Sequence, residues 1–439
     1  MKTALCPKKR LSLPERFFIK RFVLLASVLL FLGANAPERD LYRSDLLTFH
    51  GDKQFSAESL PSDSFLVTLD CKETVPTKTP PKYSIILRGI DPVERALFQD
   101  ATGEKWKRFD LFRASMVAEG IRDLELIRTY EARLNDVVSK VMRTSGNTSP
   151  QILTRALFEA MHKEILTKPY SLDCTELSKV MQTGHFNCVS ATILFNCLAE
   201  KAGLDVCALE MPGHALSRVK IGNGIVMDLE TTCPNWFDLQ NDKERQMATL
   251  QRMAPIPATA EPKPQTAQNA VPAIPEPMME LPSDRREISP VQLVATVYYN
   301  IGVDLHNKKR HPEAAAANVK ALYLDKNNEQ AWTNLLVSIN NWALEEVDDK
   351  KGEGRLYNFA TILLDQGVTL DPTYDNFRSN YVYVFYHWIR GLASKGRFGD
   401  ARQVFALAND NKRIPGNQVL QNWMAEVDRE EARINVSTR

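Results

Sequence analysis

A proline-rich segment divides this chain of 439 residues into two parts that we expect to fold separately. Nine prolines fall between Pro255 and Pro290, among Ala, Thr, Glu and Gln. Proline lacks a backbone N–H and fixes φ, so such a stretch cannot build regular hydrogen-bonded structure around a core. The sequence therefore predicts an extended linker over residues 251–290, between one domain over 92–250 and another over 291–439.

The N-terminus has the pattern of a targeting segment. Basic residues are concentrated between Lys8 and Arg21, and an apolar run of about 13 residues follows and ends in "GANA". A basic segment, a short apolar core and an A-x-A end are typical of a secretory signal peptide. Pro37 would follow the cleavage point and disfavours cleavage, so residues 1–36 are interpreted as a signal peptide or as an uncleaved signal anchor. Both predict an exported protein, either periplasmic or anchored in the membrane and facing the extracytoplasmic side.

Charge and cysteine content argue against several functions. The net charge is +1, and the basic residues beyond the N-terminus are not gathered on one predicted face, so nucleic-acid binding is not expected. The chain has no C-x-x-C, and the spacing of Cys174, His185 and Cys188 fits no common zinc template, so neither a metal nor another cofactor is expected. An oxidising compartment permits disulfides among the cysteines, whose pairing the sequence does not fix.

The region between the targeting segment and the linker changes character once. Residues 37–91 are polar and rich in turn formers, with "SFLVTLD" and "YSIILRG" as strand candidates, and are interpreted as an extension that is partly strand or disordered. Apolar residues then recur at spacings of three and four up to residue 145, which predicts helix. Another helix is predicted to begin with Ser149 as its cap and Pro150 in its first turn.

A helical repeat follows the linker. In "VYYNIGVDLHNKKRHPEAAAANVKALYLDKNN" the small and aromatic residues resemble a tetratricopeptide repeat, and a step of 34 residues carries Tyr298 onto Trp332. The stretch "FYHWIRGLASKGRFGDARQVFALA" repeats the pattern. Small residues at fixed positions let paired helices approach closely, which predicts a scaffold for binding proteins over residues 291–439.

Three polar residues in the central region have the order and local context of a cysteine nucleophile triad. Cys188 begins the apolar helix pattern "CVSATILFNCLAEKAG", His214 opens a strand pattern after a Pro-Gly turn, and Asp228 lies on the next strand. A helix start favours the thiolate, an imidazole can hold its proton, and a carboxylate can orient the imidazole. We therefore predict Cys188 as nucleophile, His214 as general base and Asp228 as orienting acid.

The hairpin between the two strands limits which carboxylate can face the imidazole. A two-residue Asn223-Gly224 turn would place Asp228 opposite Val219, with His214 on the other face. An odd loop or a bulge is therefore required for a triad. Glu230 has the same parity as Asp228 and is the alternative carboxylate. His185 is a local alternative to His214 as the base.

At these residues the chain resembles the bacterial transglutaminase-like core family, whose members often carry trailing tetratricopeptide repeats. The matching stretches are "CTELSKVMQTG", "NCVSATILFNCLAEKAGLDV", "MPGHALSRV" and "VMDLETT". The resemblance implies a papain-like α+β fold with Cys188, His214 and Asp228 as its site. Gln182 lies six residues before Cys188, where papain-like enzymes carry a glutamine oxyanion donor, and so resembles one. The "LETT" after Asp228 departs from the family, which has a Pro- and Gly-rich loop there.

The sequence thus predicts an α+β domain of papain and transglutaminase type, followed by an all-α domain of tetratricopeptide type. The predicted function is an exported thiol enzyme that acts on an amide or peptide bond of a protein or peptide substrate through a thioester. Hydrolysis is favoured over cross-linking because water needs no second binding site. The repeats would hold a protein partner. The alternative hypothesis is an inert fold of the same type that serves as an interaction scaffold.

Overall fold

The computed structural model describes residues 47–50, 63–71, 82–101, 103, 105–146, 148–239, 285–347, 357–410 and 417–437. The targeting segment over 1–36 and most of the linker over 251–290 lie outside these residues, so both stay predictions. No helix within the described ranges combines the length and the apolar character that crossing a bilayer requires.

The described residues form two compact units. One unit takes in the described parts of Met1–Ile90, Gly302–Tyr323 and Asn327–Arg439, and the other those of Asp91–Ile301 and Leu324–Lys326. The second unit mixes helices with a small antiparallel sheet and contains the three predicted site residues. The first is mainly helical and includes a small sheet of its own.

In the unit that contains the predicted site residues, the first helices begin at capping residues that the sequence supplies. Aspartate oxygens accept the first backbone N–H groups of three helices, and the Ser149 hydroxyl does so for the fourth, with Pro150 in its first turn as predicted. The stretch predicted as helix up to residue 145 is divided because Gly120 takes φ 88° after the second helix. The helices are Pro92–Asp100 (α1), Leu111–Ala118 (α2), Leu124–Ser145 (α3) and Pro150–Glu164 (α4).

A buried helix packs on the antiparallel sheet of this unit. The short helix Leu177–Thr183 (α5) precedes the helix Cys188–Lys201 (α6), in which every residue from Cys188 to Ala199 is buried. A helix that is apolar all round belongs in a core, and α6 contacts the strands Asp205–Met211 (β4) and His214–Gly222 (β5). The buried Ser217 of β5 donates to Asn196 Oδ1 of α6 at 2.7 Å, which ties the helix to the sheet.

Two further strands complete the sheet, whose order is β6-β5-β4-β7. Strand β6 spans Ile225–Leu229 and β7 spans Arg286–Ile288. The prediction of an extended linker up to residue 290 is therefore wrong for its last residues, since β7 pairs with β4. Ile288 is 2 % exposed, and Arg286 forms ion pairs of 2.5 Å with both Glu210 and Asp325. Burial and charge pairing hold this stretch, which follows the last internal proline at position 282.

The stretch predicted as partly strand forms a three-stranded antiparallel sheet in the other unit. Strands Leu47–His50 (β1), Phe65–Asp70 (β2) and Lys82–Leu87 (β3) take the order β1-β3-β2. The two strand candidates of the sequence are β2 and β3, so both predictions are confirmed. The ring of Phe65 meets that of Tyr323 edge to face at 5.1 Å, which joins this sheet to a helix of the same unit.

The C-terminal region is helical, as predicted. Two glycines allow neighbouring helices to approach closely. A Cβ at Gly367 would lie 2.3 Å from two ring carbons of Phe377, and a Cβ at Gly302 would lie 2.8 Å from Asn318 Nδ2. The helices are Pro290–Asn307 (α7), His311–Leu324 (α8), Glu329–Glu345 (α9), Tyr357–Leu370 (α10), Asp375–Ala393 (α11), Phe398–Asn409 (α12) and Gln418–Ser437 (α13).

Two glycine-to-alanine substitutions test this packing. Gly367→Ala forces the Phe377 ring aside and should lower the free energy of unfolding by about 1–3 kcal/mol. Gly399→Ala is the matched control, because a Cβ there meets nothing within 4 Å and alanine favours helix α12. Urea unfolding followed by circular dichroism should show Gly399→Ala to be neutral or stabilising. Equal losses in both variants would contradict the close approach.

Candidate active site

Helix α6 begins at Cys188 because the residues before it supply a complete N-terminal cap. The Asn187 side chain accepts the N–H of Ser190 at 3.0 Å, and the Ser190 hydroxyl accepts the N–H of Asn187 at 3.0 Å. Gly184 ends α5 with φ 80°, and a Cβ there would lie 2.5 Å from the Thr167 hydroxyl oxygen. The turn between α5 and α6 therefore needs glycine, and it delivers Cys188 to the first position of the helix.

The same cap holds the preceding loop against the start of α6. The Asn187 amide donates to the Leu172 carbonyl at 3.1 Å and to the Thr175 hydroxyl at 2.7 Å. The Ser190 hydroxyl donates to the Cys174 carbonyl at 2.7 Å. Cys188, which is 8 % exposed, thus sits beneath a loop that its own helix cap anchors.

A tight turn places His214 at the start of β5. Met211 pairs with His214 across a turn in which Gly213 has φ 70°, which confirms the predicted turn and strand. The imidazole is buried and its Nε2 lies 2.6 Å from Glu230 Oε2. The other oxygen of Glu230 accepts the backbone N–H and the hydroxyl of Thr232, at 3.0 and 2.6 Å. Glu230 is fully buried, and these contacts fix both its position and that of the ring.

The structure brings Cys188 and His214 together. Burial by itself lowers the pKa of His214, but hydrogen bonds with Cys188 and Glu230 and the charge of that carboxylate outweigh it and raise the pKa to about 10. Since Nε2 is taken by Glu230, Nδ1 is the nitrogen left to face the thiol. A protonated imidazole between a sulfur and a carboxylate is the arrangement of an activated cysteine nucleophile.

The carboxylate that contacts His214 is Glu230, and Asp228 does not reach it. Both oxygens of Asp228 accept from Arg218, from Nε at 2.6 Å and from Nη2 at 2.8 Å. Arg218 is the register partner of Asp228 and lies four residues along β5 from His214, which is about 13 Å of extended chain. The predicted role of Asp228 therefore passes to Glu230, the alternative that parity allowed.

One extra residue in the hairpin places both carboxylates on the face of His214, and the register that follows leaves Glu230 the nearer of the two. Gly222 pairs with Ile225 across the Asn223-Gly224 turn, and a bulge between Lys220 and Gly222 then shifts the register. The bulge that a triad requires is present. The resulting ladder pairs Ser217 with Leu229, so that Glu230 follows beside the start of β5. Asp228 is left farther along the strand, opposite Arg218.

Gln182 lies on α5 and is exposed, and its role as an oxyanion donor stays a prediction. His185 directs Nδ1 to the Pro169 carbonyl at 2.9 Å, which occupies that nitrogen with the loop. Sequence analysis missed Tyr170, whose hydroxyl is a hydrogen-bonding neighbour of Cys188. No spacing rule connects two residues that meet through loop pairing, so the sequence carried no signal for it.

The remaining cysteines in the described part of the chain form no disulfide, with one another or with Cys188. Cys197 is buried within α6 as predicted. Burial raises the pKa of Cys197 and that of Cys207, the latter to about 11. Within the ranges that the structure describes, no group of three or more His, Cys, Asp or Glu residues is arranged to hold a metal ion.

Comparison with known proteins adds no family to this geometry. No protein-family model matches the chain, and no curated protein is significantly similar to it in sequence.

A pair of carboxylate substitutions tests the assignment of Glu230. Glu230→Gln removes the negative charge beside Nε2 and should lower the pKa of His214 by about one to three pH units. Asp228→Asn should leave that pKa unchanged, because Asp228 contacts Arg218 instead. NMR titration of the 15N-labelled imidazole, assigned with His214→Gln, measures both. A fall in Asp228→Asn as large as that in Glu230→Gln would contradict the assignment.

Proposed function

We propose that this protein is an exported cysteine enzyme that attacks an amide or peptide carbonyl and passes through a thioester. One observation carries the proposal: a thiol at a helix start contacts an imidazole whose other nitrogen is held by a buried carboxylate. This is the set of partners that nucleophile catalysis by cysteine needs. A family of papain and transglutaminase type accounts for a cysteine helix packed on an antiparallel sheet, and we propose that relationship for the fold.

The chemistry follows from where the proton resides. The pKa of His214 is raised to about 10, so the imidazolium stands beside the sulfur at neutral pH and can take part in the attack as a cation. The thiolate adds to the carbonyl carbon, and the imidazolium then gives its proton to the departing amine. The neutral imidazole next takes a proton from water, which attacks the thioester and releases the acid. Glu230 holds the ring in place through both half-reactions.

Hydrolysis is the proposed outcome because water needs no binding site of its own. Transfer to an amine would require a second substrate to reach the thioester. Tyr170 and Leu172 are 44 % and 80 % exposed in the loop over the start of α6, so apolar surface is available there for the acyl donor.

We also propose that the helical region from α7 onward binds a protein partner or presents substrate, as its resemblance to tetratricopeptide repeats suggests.

Alkylation kinetics test the activated thiol. Wild-type protein should react with iodoacetamide at Cys188 faster than His214→Ala by about ten-fold or more at neutral pH, because a neighbouring imidazolium favours attack by cysteine sulfur. His185→Ala is the control for a nearby histidine and should retain the wild-type rate. Mass spectrometry of tryptic peptides assigns the label to Cys188.

Equal rates in wild type and His214→Ala would contradict activation. They would leave the alternative, in which the fold is an inert platform that binds partners. The 8 % exposure of Cys188 is the observation in its favour. A pull-down separates the two hypotheses: trapping of a covalent thioester requires Cys188, whereas a platform captures the same partners with Cys188→Ala.

The fate of the thioester distinguishes a hydrolase from a transferase. p-Nitrophenyl acetate should acylate Cys188 with a burst of p-nitrophenolate, followed by steady turnover as water releases acetate. If transfer dominates, added methylamine should accelerate turnover in proportion to its concentration and yield N-methylacetamide. If hydrolysis dominates, the amine should have no effect beyond its uncatalysed reaction, which Cys188→Ala measures.

A further inference from the structure

Tyr170 is placed beside Cys188 by backbone pairing. Tyr170 and Phe186 form an isolated parallel bridge, and their rings meet edge to face at 6.3 Å. The Ser171 N–H donates to the Phe186 carbonyl at 2.8 Å, and the Lys168 N–H donates to the Gly184 carbonyl at 3.1 Å. Phe186 stands two residues before Cys188. These hydrogen bonds lie on both sides of Tyr170 and fix the position of its backbone relative to the start of α6.

The Tyr170 hydroxyl reaches two groups of the same residue. It lies close enough to the Cys188 thiol and to the Cys188 backbone N–H for both to influence its pKa. Burial of the hydroxyl, together with the neighbouring thiol and the charge of Glu230, raises the pKa of Tyr170, so the phenol keeps its proton and remains a donor. The residue as a whole is 44 % exposed.

The Cys188 N–H is a natural oxyanion donor. The first four N–H groups of an α-helix lack an acceptor within the helix, and Cys188 holds the first position of α6. When the sulfur bonds to a carbonyl carbon, the carbonyl oxygen comes to lie beside the sulfur and this N–H. A second donor must reach the same place. The side chain of Gln182 is exposed on α5, whereas the Tyr170 hydroxyl lies close to both groups that define the position.

We propose that the Tyr170 hydroxyl donates a hydrogen bond to the oxyanion that forms when Cys188 attacks a carbonyl, and so acts as a catalytic residue alongside the Cys188 N–H. This rests on the proposed function. In the attack the S–C bond forms and the π pair of the carbonyl moves onto oxygen, where the two donors stabilise it. In the collapse the C=O bond reforms, the bond to the leaving group breaks, and that group takes the proton from His214. The tyrosine O–H bond stays intact throughout.

Two reagents separate this role from every other contribution of Tyr170 to the thiol. p-Nitrophenyl acetate reacts through a tetrahedral intermediate that carries an oxyanion. Iodoacetamide alkylates the same sulfur by displacing iodide, with no addition to a carbonyl. An oxyanion donor therefore assists the first reaction and has no part in the second. Pre-steady-state release of p-nitrophenolate and incorporation of the carbamidomethyl group measure the two rates on the full chain.

Tyr170→Phe removes only the hydroxyl. Acylation by p-nitrophenyl acetate should fall by about 10²–10³-fold, the usual loss for one oxyanion donor, while alkylation by iodoacetamide changes far less. The retained alkylation also shows that the variant is folded with an activated Cys188. Tyr383→Phe is the matched control, because Tyr383 is 40 % exposed on α11 and should keep both rates. Gln182→Ala should likewise keep both.

Three results would overturn the proposal. Tyr170→Phe could keep its acylation rate, which would show that the hydroxyl gives no help to the oxyanion. Both rates could change by the same factor, which would make Tyr170 a positioning residue that acts through the sulfur. Acylation could instead fall in Gln182→Ala, which would assign the second donor to that glutamine. If wild type and His214→Ala are alkylated equally and neither is acylated, the proposed function itself fails, and the role of Tyr170 with it.

Discussion

The buried contact between His214 and Glu230 constrains the rest of this unit. The two side chains are 4 % and 0 % exposed and lie 2.6 Å apart, so removing one partner would strand a charge in the core at a cost of about 3–5 kcal/mol. A buried ion pair is stable only when its remaining hydrogen-bonding groups also have partners. Thr232 supplies two donors to the carboxylate, and Thr231 reaches Thr192 of α6 at 3.0 Å. The segment after β6 thereby fixes carboxylate, ring and cysteine helix together.

The N-terminal cap of α6 has a second task besides starting a helix. The side chains of Asn187 and Ser190 also donate hydrogen bonds to the loop before the helix, to the carbonyls of Leu172 and Cys174. A polar residue that only capped the start of a helix would leave its other groups to water. Here they connect Cys188 to the loop above it, so the position of Cys188 and the shape of its surroundings depend on the same side chains.

Sequence reasoning located the site but not all of its members. Local signals found Cys188 and His214, because a helix start and a Pro-Gly turn are written in consecutive residues. A single extra residue near Gly222 turned Asp228 and Glu230 toward the face of His214, and the length of the turn set which of them lies nearer; neither leaves a mark in composition. Tyr170 and strand β7 meet their partners only after the chain folds back, and short segments of that kind resemble loop in the sequence. The specific papain and tetratricopeptide relationships stay predictions.

Strand β7 also changes the interpretation of the proline-rich segment as a linker between two domains. The short 3-10 turn Trp236–Leu239, which precedes that segment, and Arg286, which follows it, belong to the same compact unit. Both ends are thus pinned to one body. The point at which the chain rejoins the sheet is dictated by the pairing of β7 with β4.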